Sequence, residues 1–319
     1  MNCFNLQNID FTPLTEKRNP LPMIHHIPKK IIPVKKIVVV YQLRYVNGNS
    51  YGFGDFIRGC FSLLQLCKDM NLNFDIDLSN HPMSKYIKGH IKNSAIDYNN
   101  ISKIEINDKF IESPKLFYKT YTDLLQNVNN EVYSTTTNVP PFFEIKQPDI
   151  EFIKSKLMPT LQMQYDLEHE MSIAGLKNRD FSVIHIRAGD YCLFNNNNIL
   201  NNILLYSLFN KLTPLLNDKS CKYLILSDSA RLKILFKPYE NCVFHQKNIT
   251  HLGEIRVLNP SAIKNTMMDF YLMSQSKNIY SYSVYNHGTG FSKWCAVIYN
   301  IPYEAYYINN SNNTIVNMD

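Results

Sequence analysis

The segment Val183–Tyr191 reads VIHIRAGDY, an apolar run that ends in an imidazole, a guanidinium and a carboxylate. In a strand, alternation puts His185 and Arg187 on one face, aimed together at the C-terminal mouth. A guanidinium is the side chain best shaped to hold a phosphate in a bidentate fork. Gly189 lets the chain turn directly afterwards. The chemistry this suits is capture of an anionic group, with Arg187 supplying charge and Asp190 beside it. The same residues also fit a plainer arrangement: an ion pair between Arg187 and Asp190 at the strand end, above a histidine satisfied in the core.

Two glycine-containing segments have the composition of ligand loops. In SYGFGDFIRG, Ser50–Gly59, the residues Gly52, Phe53 and Gly54 precede or open a helix whose free N–H groups favour an anion or a polar sugar. No Lys-[Ser/Thr] follows, so this is not a Walker A loop, and the spacing is not that of a dinucleotide fingerprint. Asp55 is either a catalytic carboxylate or a cap for that helix. In NHGTGFSKW, Asn286–Trp294, Thr289, Gly290, Phe291 and Ser292 again stand at a helix start. They form either a diphosphate cradle or an ordinary capped turn. Asp269 sits among Met267, Met268, Phe270 and Leu272 on an amphipathic helix. It is exposed on the polar face or paired, and the adjacent N1–H and N2–H₂ of guanine would pair it bidentately. Asp228 follows the strand YLILS, where α/β sheets place ligand contacts, and equally where the next helix needs a cap.

The elements that must position these residues alternate. Ile37–Tyr41 is a β-branched run of the kind buried on both faces. Asp55–Met70 carries apolar residues at helical spacing, and Phe74–Leu78 alternates as a strand. Short helices are expected at Met83–Ile87 and Tyr121–Val128, strands at Ile104–Ile106 and Val132–Ser134, and a helical connector over Asp149–Gly175. A second series follows: strands at Phe181–Ile186, Tyr223–Ser227, Cys242–His245 and Ile279–Ser283, with helices at Ile199–Leu216, Ala230–Phe236, Ala262–Ser276 and Phe291–Tyr299. This predicts an α/β protein of two Rossmann-like domains facing one cleft. Residues 1–35 form a lead-in, 36–170 an N-terminal domain and 171–319 a C-terminal domain. Ligands in such sheets bind beyond the strands' carboxyl ends, which is where the motifs fall.

Composition narrows the classes. The chain of 319 residues is 45% hydrophobic, too apolar for disorder, yet it has no run long enough to span a membrane. A net charge of +6 suits an anionic partner but is spread along the chain, without the basic helix or dense stripe of a nucleic-acid binder. The seven cysteines form an odd set without a C-x-x-C pair, which argues against zinc-ribbon, thioredoxin-like and disulfide-framework readings. With no signal-like apolar stretch near the N-terminus, the expected location is cytoplasmic.

Taken in order, the segments GFGD, HIRAGDY, YLILSDS, MMDFYLMSQSKNIYSYS and TGFSKWCAVIYN resemble the fucosyltransferase superfamily. That group includes the α1,2- and α1,6-fucosyltransferases, NodZ and the protein O-fucosyltransferases. The resemblance implies a GT-B fold, GDP-fucose as donor substrate, a glycan or glycoprotein acceptor, inversion at the anomeric carbon, and no metal or other cofactor. It would give Arg187 the β-phosphate, His185 and Asp269 the guanosine end, the Thr289–Ser292 backbone the diphosphate, and the Gly52–Asp55 loop the fucose and acceptor. Asp55 is the general-base candidate by position. Ala188 stands where that family commonly has a second Arg, and the stretch Tyr282–Gly288 is longer than in relatives. Arg44, Arg58 and Arg231 are candidates for the missing cation. The competing reading is a degenerate module that binds a nucleotide or glycan without transferring sugar.

Overall fold

The computed structural model describes residues 38–42, 52–78, 81–88, 102–104, 114–126, 132–135, 137–190, 192, 200–253 and 259–318. The lead-in 1–35, Arg44 and Tyr191 lie outside the described residues.

The first half is built from β1 (Val38–Gln42), α1 (Phe53–Asp69), β2 (Asn73–Asp77), β3 (Ser102–Ile104), α2 (Pro114–Gln126) and β4 (Val132–Thr135). Its sheet has the order β2-β1-β4-β3 with all pairs parallel. Parallel neighbours need crossovers, and α1 supplies the one between β1 and β2. The turn expected as a helix at Met83–Ile87 is a 3₁₀ segment, Pro82–Tyr86, opened by His81, whose ring nitrogen accepts from the Met83 N–H. The helix expected from Tyr121 begins earlier, at Pro114, a residue well suited to a first helical turn.

Between the sheets run α3 (Gln147–Lys156) and α4 (Leu161–Ile173), not one connector. Pro159 has no N–H to offer a continuous helix, and Thr160 starts α4 afresh by accepting the Met163 N–H. Met163, Leu167 and Met171, four apart, form the buried face of α4.

The second half contains β5 (Phe181–Arg187), α5 (Asn202–Asn217), β6 (Lys222–Ser227), α6 (Ala230–Ile234), β7 (Cys242–Phe244), α7 (Pro260–Ser274), β8 (Asn278–Ser283), α8 (Gly290–Tyr299), β9 (Tyr303–Asn309) and β10 (Thr314–Asn317). Its sheet runs β10-β9-β8-β5-β6-β7, parallel except for the antiparallel β9–β10 pair. Side chains cap three of its helices: Asn201 for α5, Ser229 for α6 and Asn259 for α7. Leu204, Leu208, Leu212 and Leu216 bury one stripe of α5, each contributing about 1.5–3 kcal/mol. The strands β9 and β10 extend the sheet past the last element expected from sequence. Their sequences, YEAYYIN and TIVN, mix tyrosine, apolar and polar residues, a pattern weaker than the apolar run of β5.

The strand order reverses at β5. The chain steps outward from β5 to β6 and β7, then returns to place β8 on the other side of β5. Such a switch point leaves a crevice at the carboxyl ends, here between the end of β5 and the loop joining β8 to α8. One core joins both halves: Phe56 and Phe61 of α1 share a buried cluster with Met267 and Phe270 of α7 and Trp294 of α8. Phe61 stacks on Trp294 at 5.3 Å. Among the described residues, Cys60, Cys67, Cys192, Cys221, Cys242 and Cys295 are free thiols. No helix among them is long and apolar enough to cross a membrane.

Candidate functional site

The end of β5 is built around Arg187, whose side chain is 15% exposed. One guanidinium nitrogen donates to Asp228 Oδ2 at 2.9 Å and the other to Asp190. The two carboxylates differ in kind. Asp228 is 2% exposed and also accepts the N–H groups of Ala188 (2.7 Å) and Gly189 (2.9 Å). Burial pushes its carboxyl up, while Arg187 and those two N–H groups pull it back. Asp228 does not cap α6, since Ser229 does so, accepting from the Leu232 N–H at 3.3 Å. Gly189 has φ +112°, which lets the chain fold back so that consecutive N–H groups converge on Asp228. Asp190 is 49% exposed and held by Tyr285, whose hydroxyl donates to it at 3.1 Å and accepts its backbone N–H at 3.1 Å. The ion pair expected as the plainer arrangement is therefore present. A guanidinium anchored on the buried Asp228, with the Tyr285 ring 5.9 Å away and a solvent-facing Asp190 as its second carboxylate, can still exchange that second carboxylate for an incoming anion.

His185, two residues back, is buried, and its Nδ1 has no hydrogen-bond partner among the described residues. It is thus not the satisfied core histidine that was one of the expectations. Burial, and then the charge of Arg187, lower its pKa from 6.5 to about 3, so the ring is neutral near pH 7. Its neighbour is Phe291, with ring centroids 6.0 Å apart. Phe291 in turn packs against Phe53 and Phe270.

The two glycine segments meet each other. A Cβ on Gly54 would lie 2.3 Å from the carbonyl carbon of Gly290 and 2.6 Å from the Phe291 nitrogen. Gly54 is therefore committed to a backbone-to-backbone crossing of α1 and α8, and its open face is not free for a sugar. Ser292 is likewise committed inward: fully buried, its hydroxyl contacts the Ser281 hydroxyl on β8 at 3.1 Å. Thr289 is the N-cap residue of α8 and makes no side-chain cap bond, which leaves its hydroxyl available. Gly52 lies against the ring of His251, and Phe53 is core. Asp55 does not cap α1; its carboxylate, 43% exposed, pairs with Arg58 at 2.8 Å. Among the cations considered for the missing second Arg, Arg58 is thus paired and Arg231 exposed.

Asp269 on α7 is half-buried, with no hydrogen bond among the described residues. Burial raises its pKa from 3.8 to about 7, against the pull of Lys233 and Lys247. Lys233 and Tyr285 are the site residues that sequence reasoning missed. Lys233 lies in the run RLKILF, where a buried ammonium looks like any surface lysine on a short helix. Tyr285 lies in the stretch that motif comparison found longer. Among the described residues no group of three or more His, Cys, Asp or Glu is arranged to hold a metal ion.

No protein-family model matches the sequence, and no curated protein matches it. Solved structures do. Fucosyltransferase NodZ from Bradyrhizobium is 12% identical, with 89% of this chain and 99% of that chain covered at a TM-score of 0.54. NodZ α-1,6-fucosyltransferase soaked with GDP-fucose gives 0.55 at the same identity and coverage. A variant of Arabidopsis thaliana FUT1 in complex with GDP is 11% identical, covering 90% of this chain and 74% of that one at a TM-score of 0.55. At these identities the likeness is one of fold: the chain has the α/β, GT-B architecture of these fucosyltransferases.

Proposed function

We propose that the protein is a glycosyltransferase that moves fucose from GDP-fucose to a hydroxyl of a glycan or a protein, inverting the anomeric carbon without a metal. Residues 36–170 would face the acceptor and 171–319 hold the donor. The observation that carries this reading is Arg187, a guanidinium anchored by a buried carboxylate at the switch point of a sheet with this fold. Breaking the sugar–phosphate bond develops positive charge on the sugar and negative charge on the departing GDP. A fixed guanidinium and the free N–H groups at the α8 N-terminus would stabilise that negative charge without reorganising. The neutral His185, with Nδ1 unsatisfied, and the unpaired Asp269 suit the guanosine end, and Asp55 is the general-base candidate. Folded protein titrated with GDP, UDP, ADP and CDP is expected to gain thermal stability with GDP alone. A ligand at 100 times its Kd adds about 2.7 kcal/mol, a shift of a few degrees. A shift with UDP instead would discard the guanosine donor.

The competing reading, a module that binds without transferring, is favoured by Ala188, whose side chain is buried and brings no second cation. Measured transfer to any acceptor, lost in Arg187→Ala, would reject it.

Asp269→Asn should separate stability from binding. A carboxyl whose folded pKa is raised contributes stability that is fully present below its unfolded value and lost as pH rises through about 7. Unliganded Asp269→Asn is therefore expected to be more stable than the parent at pH 8, by about 1–3 kcal/mol, with little difference at pH 4. GDP binding needs the ionised carboxylate, so parent affinity should rise from pH 6 to pH 8 more steeply than that of the variant. The variant retains whatever the nucleotide's own phosphate contributes. Equal slopes in calorimetric titration would remove Asp269 from the base site.

A further inference from the structure

Lys233 is 4% exposed, yet nothing in the proposed reaction so far uses its charge. It sits on α6, immediately beyond the Asp228 and Ser229 turn. Its ammonium donates to the carbonyl of His245 at 2.8 Å and, more weakly, to that of Lys247 at 3.5 Å. An ammonium has three donors, so one is left without an acceptor among the described residues. The strip it holds, residues 245–250, is fastened on its other side by α7. Thr266 accepts the Thr250 N–H at 2.9 Å through its hydroxyl, and the Asn265 amide donates to the Asn248 carbonyl at 2.8 Å. Asp269 lies one turn further along that face of α7. Lys233 and Asp269 therefore flank one strip from two helices, and each charge acts on the other. They form no direct ion pair. One has a spare donor, the other an unfilled carboxylate.

We infer that Lys233 is a specificity-determining residue that donates to O6 of a guanine whose N1–H and N2–H₂ are taken by Asp269. This rests on the guanosine-diphosphate donor proposed above. The pair complements the full hydrogen-bonding edge of guanine: acceptor, donor, donor. Adenine would turn its N6–H₂ donor against the ammonium, and uracil its O2 acceptor against the carboxylate. Both are rejected by a polar group left unpaired rather than by shape.

The test compares GDP with 6-thio-GDP, which keeps N1–H and N2–H₂ but replaces O6 by a weaker acceptor, and with IDP, which lacks N2–H₂. In calorimetric titrations the parent is expected to prefer GDP over 6-thio-GDP by about tenfold, as for a charge-assisted hydrogen bond partly lost. Lys233→Met should reduce that preference to about one while keeping the preference over IDP, and Lys233→Arg should retain both. A lysine that merely tethers residues 245–247 would weaken GDP and 6-thio-GDP alike. An unchanged ratio in Lys233→Met therefore overturns the inference. If Lys233→Met fails to fold, the parent decides: equal affinity for GDP and 6-thio-GDP overturns it without a variant. A folded parent that binds no guanine nucleotide removes the donor assignment itself, and this inference with it. Guanine binding with an insensitive ratio removes only the role of Lys233.

Discussion

Gly54→Ala is expected to destabilise the protein by about 3 kcal/mol, read as a lower urea midpoint. Intrinsic propensity predicts the opposite sign, because alanine in a helix is better than glycine by up to about 1 kcal/mol. Packing should win because the atoms in the way are backbone. The added Cβ would lie 2.3, 2.6 and 2.7 Å from the Gly290 carbonyl carbon, the Phe291 nitrogen and Gly290 Cα. None of these can rotate aside, so α1 and α8 must separate. Separation loosens the Phe61–Trp294 stack further along the same two helices and the Phe53–Phe291 contact at their starts. Since Phe291 neighbours His185, the disturbance should reach the candidate base pocket and weaken GDP binding as well. Gly290→Ala is the matched control. Its Cβ would meet Gly54 at 3.3–3.4 Å, which a shift of a few tenths of an ångström relieves, so its effect should be under about 1 kcal/mol. A Gly54→Ala protein with the parent's midpoint would mean that the helices do not cross at this contact.

That crossing shows what the sequence could and could not convey. Both glycine segments stand out by composition, and both do open helices at the candidate site. That their glycines exist for each other depends on how two separate sheets pack, which no local pattern encodes. The strand end at Arg187 was legible because alternation within seven residues sets which side chains share a face. Its anchor was legible only in part. Asp228 was placed by position, but its bonds to Ala188 and Gly189 depend on β5 pairing with β6 in the register His185↔Leu226 and Ile186↔Ser227. Ser292 reads from sequence as part of a diphosphate cradle or of a capped turn, and only tertiary packing shows that its hydroxyl turns inward to Ser281. Lys233 was invisible for the converse reason. Its acceptors are main-chain carbonyls, which carry no sequence signature.

Arg187→Ala is expected to weaken GDP binding about 100-fold while leaving GMP binding nearly unchanged, since the loss of charge-assisted hydrogen bonds should fall on the β-phosphate alone. The two carboxylates that hold Arg187 differ in exposure. Asp190 is half in solvent and can be displaced at little cost, whereas Asp228 is 2% exposed and has nowhere to go. An arriving diphosphate would therefore replace Asp190 and find a guanidinium already oriented by Asp228, which is the condition for stabilising developing charge without reorganisation. The same asymmetry predicts a stability loss. Removing the guanidinium leaves Asp228 buried with two N–H donors and no counter-charge, worth about 3 kcal/mol by analogy with other broken buried pairs. Weak GDP binding in Arg187→Ala could then reflect partial unfolding, and Arg187→Met combined with Asp228→Asn distinguishes the two. The amide introduced by Asp228→Asn would keep an acceptor for the Ala188 N–H without a stranded charge, while its NH2 would face the Gly189 N–H. The double variant should therefore recover part of the stability and none of the GDP-over-GMP preference. If it instead recovers that preference, or if Arg187→Ala weakens GMP as much as GDP, Arg187 holds the strand end together and the β-phosphate is bound elsewhere.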